Sequence, residues 1–286
     1  MSAREQVIVE YGHEEGEFYL SQVQRTEPFE RNNHYHGTYE IYYLLAGRRY
    51  YFIKDASYSV AAGDLIFINK YDVHKTSVLG SPQHARIVMN FSDDFLGKDH
   101  PLFRPELLRM FVREPHQFRL KPQEQWHVER LLGRMAEEAR RREEGFELSL
   151  RLLLTELLLL AARLKAEPAD AAEDPLSPVH RKIGQVVKHL NAHFSQKLPL
   201  PELSAAFGLS PAYLSRTFKK ITGFTIVGYQ HLMRVREAQS LLAATDAKIA
   251  DIAVAVGFEQ FAHFNRTFKK LTGASPTRYR KLNRRP

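Results

Sequence analysis

Eight residues occur twice in this chain. Arg216-Thr217-Phe218-Lys219-Lys220-Ile221-Thr222-Gly223 returns fifty positions later as Arg266-Thr267-Phe268-Lys269-Lys270-Leu271-Thr272-Gly273, with a single Ile/Leu difference. A fixed period of that size implies two copies of one supersecondary unit. Each octapeptide follows a short apolar segment of helical character that ends at a glycine, Leu203 to Gly208 in the first copy and Ile252 to Gly257 in the second. Glycine supplies the left-handed backbone that stops a helix, so each unit reads as helix, glycine turn, helix.

In the first unit Ser210 is suited to an N-cap and Pro211 to the first helical position, so the second helix starts there and runs to Gly223. Leu214, Phe218 and Ile221 fall at i, i+4 and i+7 and form its buried stripe. At about 100° per residue, Ala212, Arg216 and Lys219 lie on the opposite face, flanked by Ser215 and Lys220. The second unit repeats the pattern. Phe264, Phe268 and Leu271 point inward, while Ala262, Arg266 and Lys269 point outward beside His263, Asn265 and Lys270. Small residues permit close approach to a major groove, Arg and Asn can bond base edges bidentately, and Lys neutralises phosphate. A single row of this kind is an ordinary solvated face; two in the same frame are not.

Thr225 to Ala244, between the units, reads as one helix with Val227, Leu232, Val235, Ala238, Leu241 and Leu242 inside. About twenty residues at 1.5 Å each span roughly 30 Å, close to the ~34 Å of one DNA turn. Charge agrees with this reading. Residues 179–286 hold 18 Lys and Arg against 5 Asp and Glu, a net +13, whereas residues 1–178 hold 23 against 28, a net −5. A basic module attracts nucleic acid by releasing condensed counterions.

On these residues, Val179 to Leu282 resembles the DNA-binding domain of the AraC/XylS family of transcriptional regulators. The signature is carried by Gly257, Phe258, Phe264, Arg266, Phe268 and Lys269, followed by Gly273, Pro276 and Tyr279. The resemblance implies two helix-turn-helix units on successive segments of double-stranded DNA, base contacts from the outward residues just named, and recruitment or obstruction of RNA polymerase.

The first half is different in kind. From about Phe18 to Met89, aromatic and β-branched residues alternate with polar ones between turn residues such as Gly47, Asp55 and Gly63, which predicts an antiparallel β domain. His34, His36 and Glu40 share even parity, and with Gly47 they form HxHx3Ex6G, answered later by Gly63-Asp64 and His74. These residues resemble the two cupin motifs, whose fold is a small β-barrel and whose three His and one Glu hold a divalent metal such as Zn, Ni, Mn or Fe. Three readings stay open: an effector pocket without metal and with no cofactor required, a pocket built around a metal on His34, His36, Glu40 and His74, and purely structural histidines. The effector reading uses His34, His36, Glu40, Tyr42 and His74. Tyr39, Tyr42, Tyr43, Tyr50 and Tyr51 crowd the neighbouring strands. Half of them should face inward, where rings carrying hydroxyls suit a sugar or another polar organic effector.

Gln123 to Arg142 and Phe146 to Lys165 read as two helices joined near Glu144-Gly145. In the second, Leu150, Leu153, Leu157, Leu160 and Leu164 follow a 3-4-3-4 seam, widened by Leu152, Leu154, Leu158 and Leu159. Such a stripe can cover the β domain, meet a second copy of the chain, or do both. The Ala-, Pro- and acid-rich run up to Pro178 reads as a linker.

The expected architecture is therefore an α+β two-domain chain. It comprises a cupin-like antiparallel β-barrel for effector binding (1–120), a helical dimerisation segment (121–165), a linker (166–178) and an all-α domain with two helix-turn-helix units (179–286). The chain lacks Cys, which removes disulfides and thiolate metal sites. It also lacks a signal-like start and any apolar run long enough for a bilayer. The expectation is a cytoplasmic homodimeric regulator, not an enzyme and not a membrane protein, whose partners are double-stranded DNA, a small-molecule effector and RNA polymerase. Two alternatives remain: a metal cupin enzyme whose basic tail serves localisation, and a regulator for which the metal is the signal.

Overall fold

A computed structural model describes residues 5–28, 35–98, 103–164 and 178–283. His34 and the segment read as a linker, Pro178 apart, lie outside the described residues. Contacts divide the chain into two units, Met1–Ser177 and Pro178–Pro286. Among the described residues, no helix is long and apolar enough to cross a membrane.

Among the described residues of the first unit there are nine antiparallel strands: β1 (Glu5–Gly12), β2 (Phe18–Arg25), β3 (Tyr39–Ala46), β4 (Arg48–Ile53), β5 (Ala56–Ala61), β6 (Asp64–Ile68), β7 (His74–Val78), β8 (His84–Phe91) and β9 (Gln117–Arg119). They form a six-stranded sheet ordered β1-β2-β8-β3-β6-β9 and a three-stranded sheet ordered β5-β4-β7. Tyr42, Leu44, Ile66, Ile68 and Val88 of the large sheet pack against Tyr51, Ile53 and Val60 of the small one, so the two sheets enclose a core. The alternate residues of the large sheet, among them Ile41, Tyr43, Leu65, Phe67 and Met89, face helices instead. Both faces of β3, β6 and β8 are thus buried, and these strands read as apolar runs more than as alternations.

Among the described residues, the α-helices that follow β8 in this unit are α1 (Asp93–Leu96), α2 (Arg109–Val112), α3 (Pro122–Arg141) and α4 (Phe146–Arg163). Pro122 sits at the first turn of α3 and the Glu124 carboxylate accepts from the Lys121 backbone N–H at 2.8 Å, which fixes its start. Gly145, at φ 83°, turns the chain into α4. The leucine stripe of α4 divides into two. Leu150, Leu153, Leu154, Leu157 and Leu158 are buried within their own unit, whereas Leu148, Leu152 and Leu159 are exposed. The row of 3-4-3-4 spacing faces the chain's own core, where α1 to α3 cover it. What remains outward is a second row, spaced four and seven residues apart.

The described residues of the second unit form seven helices: α5 (Pro178–Ala192), α6 (Leu200–Ala206), α7 (Pro211–Thr222), α8 (Ile226–Ala244), α9 (Ile249–Ala255), α10 (Phe261–Thr272) and α11 (Pro276–Asn283). The fifty-residue repeat reaches further than the octapeptide. Phe218 packs edge-on against Tyr229 at 5.8 Å and Phe268 against Tyr279 at 5.5 Å, the same pair one period apart. Thr222 and Thr272 each donate their hydroxyl to the carbonyl four residues back, Phe218 or Phe268, at 2.8 Å. Each also accepts from a backbone N–H two residues on, at 3.1 and 3.3 Å, so the repeated Thr-Gly pair is a helix stop. Thr225 caps α8 by accepting from the Gly228 N–H at 3.0 Å. Val227 departs from expectation: it is exposed, on the side of α8 that lies over a cleft.

Candidate functional site

Two sites arise, one in each unit. On α7, Ala212, Arg216, Lys219 and Lys220 are exposed and Ser215 is half-buried; on α10, Ala262, Arg266, Lys269 and Lys270 are exposed and His263 and Asn265 are half-buried. Their opposite faces are fixed by Leu214 and Phe218 and by Phe264 and Phe268, all fully buried. Ser210 caps α7 at Tyr213 N, and Gly223 and Gly273 end the two helices in the left-handed region. Each row therefore projects from a helix whose C-terminal end is set by a left-handed glycine, and α7 is capped at its start as well.

His263 has other neighbours. Its ring lies 5.0 Å from His231 and 5.6 Å from Phe258, both edge-on, at the wall of a cleft lined by α8 and by the segments preceding α6 and α10. Beside this cleft Gln230 Nε2 donates to the Phe194 and Gln196 carbonyls at 3.1 and 2.6 Å. Arg234 Nε donates to Phe194 at 2.7 Å and Arg234 Nη2 to Gln196 at 2.9 Å. Gly257, at φ +93°, brings its backbone so close that a Cβ would stand 2.1 Å from the Ser195 carbonyl oxygen. Residues 194–196, which lead into the first helix-turn-helix, are held by α8 on one side and by the turn of the second on the other. Gln230 and Arg234 were not singled out from the sequence, since a polar pair on a long helix reads as solvated surface.

In the first unit the even-numbered residues of β3 and β8 turn between the sheets, where Glu40 pairs in register with Asn90. His36 arrives by another route than strand parity: it precedes β3 and is not part of it. Its Nδ1 donates to the Thr38 carbonyl at 2.9 Å and its Nε2 lies 3.1 Å from Glu40 Oε2. His74, the first residue of β7, donates Nδ1–H to the Asp72 carbonyl at 2.8 Å and turns its Nε2 to 3.6 Å from the same oxygen. Tyr51 donates to Glu40 Oε1 at 2.9 Å and Asn90 Nδ2 to Oε2 at 3.3 Å. Burial alone would raise the Glu40 pKa, but His74 and His36 outweigh it and hold the carboxyl well below the usual range. Burial alone would lower that of His36, and Glu40 reverses this, so the His36 pKa is raised.

Three ligand atoms, one each from His36, Glu40 and His74, lie within 4.8 Å of one another. Donors bound to one ion at about 2.1 Å stand roughly 3 to 3.5 Å apart, and carbonyls that orient both imidazoles through Nδ1 are the usual outer support of such sites. The donor set fits a divalent ion, and the same atoms also satisfy one another by hydrogen bonds. Of the five tyrosines, Tyr42 and Tyr51 face between the sheets with rings 5.0 Å apart. Tyr43 turns to the helices and donates to Glu129 at 2.7 Å, and Tyr39 packs on Phe91 and Phe111.

Comparison with known proteins agrees with both halves. A model described as an AraC-like ligand binding domain matches residues 18–158, and one described as a helix-turn-helix domain matches residues 203–282. The chain is 24% identical over 256 residues, 86% of either protein, to the HTH-type transcriptional activator RhaR of Mannheimia succiniciproducens. It is 24% identical over 254 residues, 87% of either protein, to RhaS of Enterobacter sp., described in the same words. To the bifunctional transcriptional activator/DNA repair enzyme AdaA of Bacillus subtilis it is 37% identical over 99 residues, which span 35% of this chain and 47% of that protein. With a ligand-binding β domain and a duplicated helix-turn-helix domain joined in one polypeptide, the chain belongs to the AraC family of transcriptional regulators.

Proposed function

We propose that this regulator is a one-component switch, not an enzyme: a cytoplasmic homodimer that reads DNA with α7 and α10 and responds to a sugar or another small polar metabolite held between the sheets. The observation that carries the reading is the pair of outward rows, Arg216 with Lys219 and Arg266 with Lys269, displayed in one frame by two helices with identical stops. Bound at its operator, the dimer recruits or obstructs RNA polymerase. Effector control follows when the ligand binds one arrangement of the regulator more tightly than another.

Arg216→Ala and Arg266→Ala, made separately, are expected to cost about 1 to 3 kcal/mol each on an operator selected from random duplex DNA, roughly 5- to 150-fold in Kd. The second reader carries more discrimination, since Asn265 accompanies Arg266 while Ser215 accompanies Arg216. Gel-shift titrations at fixed salt measure this. If both variants retain wild-type affinity for the operator, the groove assignment is wrong.

The dimer rests on the exposed Leu148, Leu152 and Leu159 of α4. Their spacing is that of a short heptad seam. Leu152→Glu is expected to give a monomer by sedimentation equilibrium and to weaken binding to paired operator sites far more than to a single one. A wild-type monomer at tens of micromolar would overturn this assignment.

One observation favours a second reading, in which a divalent ion on His36, Glu40 and His74 is part of the sensor. Elemental analysis of the purified protein, with operator affinity measured before and after chelation, decides it. Affinity that ignores the chelator counts against a metal signal.

A further inference from the structure

The core between the sheets is polarised. Around Glu40 sit His36, His74, Tyr51 and Asn90; toward the other end of the same strands stand three arginines. Arg86 pairs in register with Leu44 on β3, and Arg25 with His84 two positions along β8, so both share the inward face of Leu44. Arg49, on β4, pairs with Val60, another residue of the inter-sheet core, and approaches from the opposite sheet. Four residues along β3 separate Glu40 from Leu44, about 13 Å. Tyr42 and Tyr51 occupy the middle.

All three guanidinium groups are buried, Arg49 at 0%, Arg25 at 7% and Arg86 at 9% exposure. Arg25 Nη2 donates to Glu5 at 2.6 Å and Arg49 Nε to Thr76 Oγ1 at 3.2 Å. Arg86 Nη1 is buried and has no hydrogen-bond partner among the described residues. The fully buried Tyr42 hydroxyl, diagonal to Arg86 across the β3–β8 pair, is in the same condition. A buried guanidinium nitrogen and a buried hydroxyl left unmet are costly in a folded protein unless something else satisfies them. The positive field is felt nearby. Burial first, then Arg49, Arg25 and Arg86, bring the His84 pKa down to about 4.

We infer that the arginine end of the inter-sheet space is an anion seat, and that the effector is an anionic carbohydrate derivative, a sugar acid or a sugar phosphate. Arg86 supplies a forked, charge-assisted hydrogen bond to its carboxylate or phosphate oxygens, Arg25 and Arg49 add to the attraction, and the Tyr42 hydroxyl meets a ring hydroxyl. The inference rests on the effector-pocket reading above and narrows it. A neutral sugar would leave the guanidinium of Arg86 uncompensated, so charge becomes the basis of selection.

The test uses the full chain. Trp126, the chain's single tryptophan, lies on α3 of the same unit as the β domain, so its emission during thermal unfolding reports that unit. The probes are inorganic phosphate, D-glucuronate, D-glucose 6-phosphate and D-glucose at matched ionic strength. Phosphate and the two charged sugars are expected to raise the wild-type midpoint saturably by several degrees, and D-glucose is not. Arg86→Gln should abolish the shift without lowering the unliganded midpoint, and Arg86→Lys should keep part of it. Whichever charged sugar acts at the lower concentration identifies the carboxylate or the phosphate as the preferred group. The anion seat is overturned if no charged probe shifts the midpoint, if Arg86→Gln responds like wild type, or if that variant unfolds well below it. D-Glucose raising both midpoints equally overturns the seat while leaving the effector pocket in place. The pocket itself falls only if operator footprints are insensitive to every small molecule tested.

Discussion

Replacing Gly257 by alanine is expected to destabilise the second unit by about 4 kcal/mol, among the larger effects a single methyl group can have. Two costs add. A left-handed backbone at φ +93° penalises an L side chain by about 1 to 2 kcal/mol, and the new Cβ would stand 2.1 Å from the Ser195 carbonyl oxygen, so backbone must move. Gly208 occupies the corresponding turn of the first helix-turn-helix at φ +62°, but a Cβ there meets nothing within 4 Å. Gly208→Ala should therefore cost only the first of these, about 1 kcal/mol. Urea unfolding followed by helical circular dichroism compares the two. Equal losses would mean that the close approach to Ser195 does not exist in solution.

The second large effect is expected at Glu40. Its carboxylate lies 3.1 Å from the His36 ring nitrogen and accepts from Tyr51 and Asn90, all in a buried setting. Removing one member of a buried charged pair leaves the other without compensation, which costs about 3 to 5 kcal/mol. Glu40→Ala should lose that amount in urea unfolding read by Trp126 emission in the presence of a chelator, and Glu40→Gln roughly half, since an amide keeps part of the hydrogen bonding. If Glu40→Ala is as stable as wild type without metal, the network is not holding the sheets together.

The second unit was largely legible from the chain because its constraints are local and doubled. Ser210, Pro211, Gly223 and Thr225 act within a turn of their own position, and a repeat of fifty residues turns weak signals into one strong one. The β unit was legible in outline only. β1 escaped notice because its apolar residues run together as Val7-Ile8-Val9, two of them exposed, so it carries little alternation. Which leucines of α4 face the chain's own core was not legible, since spacing marks a stripe without saying which surface each row meets. Arg25, Arg49 and Arg86 were missed for a different reason. A charged residue on a strand is read as facing water, and the contrary signal, that Arg49 shares parity with Tyr51 and Ile53, becomes informative only after the register is known. His36 joins Glu40 through a loop, which strand parity cannot anticipate.

The contacts that Gln230, Arg234 and Gly257 make with residues 194–196 bear on genome organisation. Two readers fixed to one another accept a single rotational phase along the double helix. Inserting one base pair between their subsites turns one of them by roughly 35° and moves it by about 3.4 Å, against the contacts that hold residues 194–196. The strain must then fall on DNA, through twist or bend, at a cost that depends on the base steps in the spacer. Selection on the operators of this regulator is thereby expected to hold spacer length constant and to favour deformable steps at positions that no side chain touches.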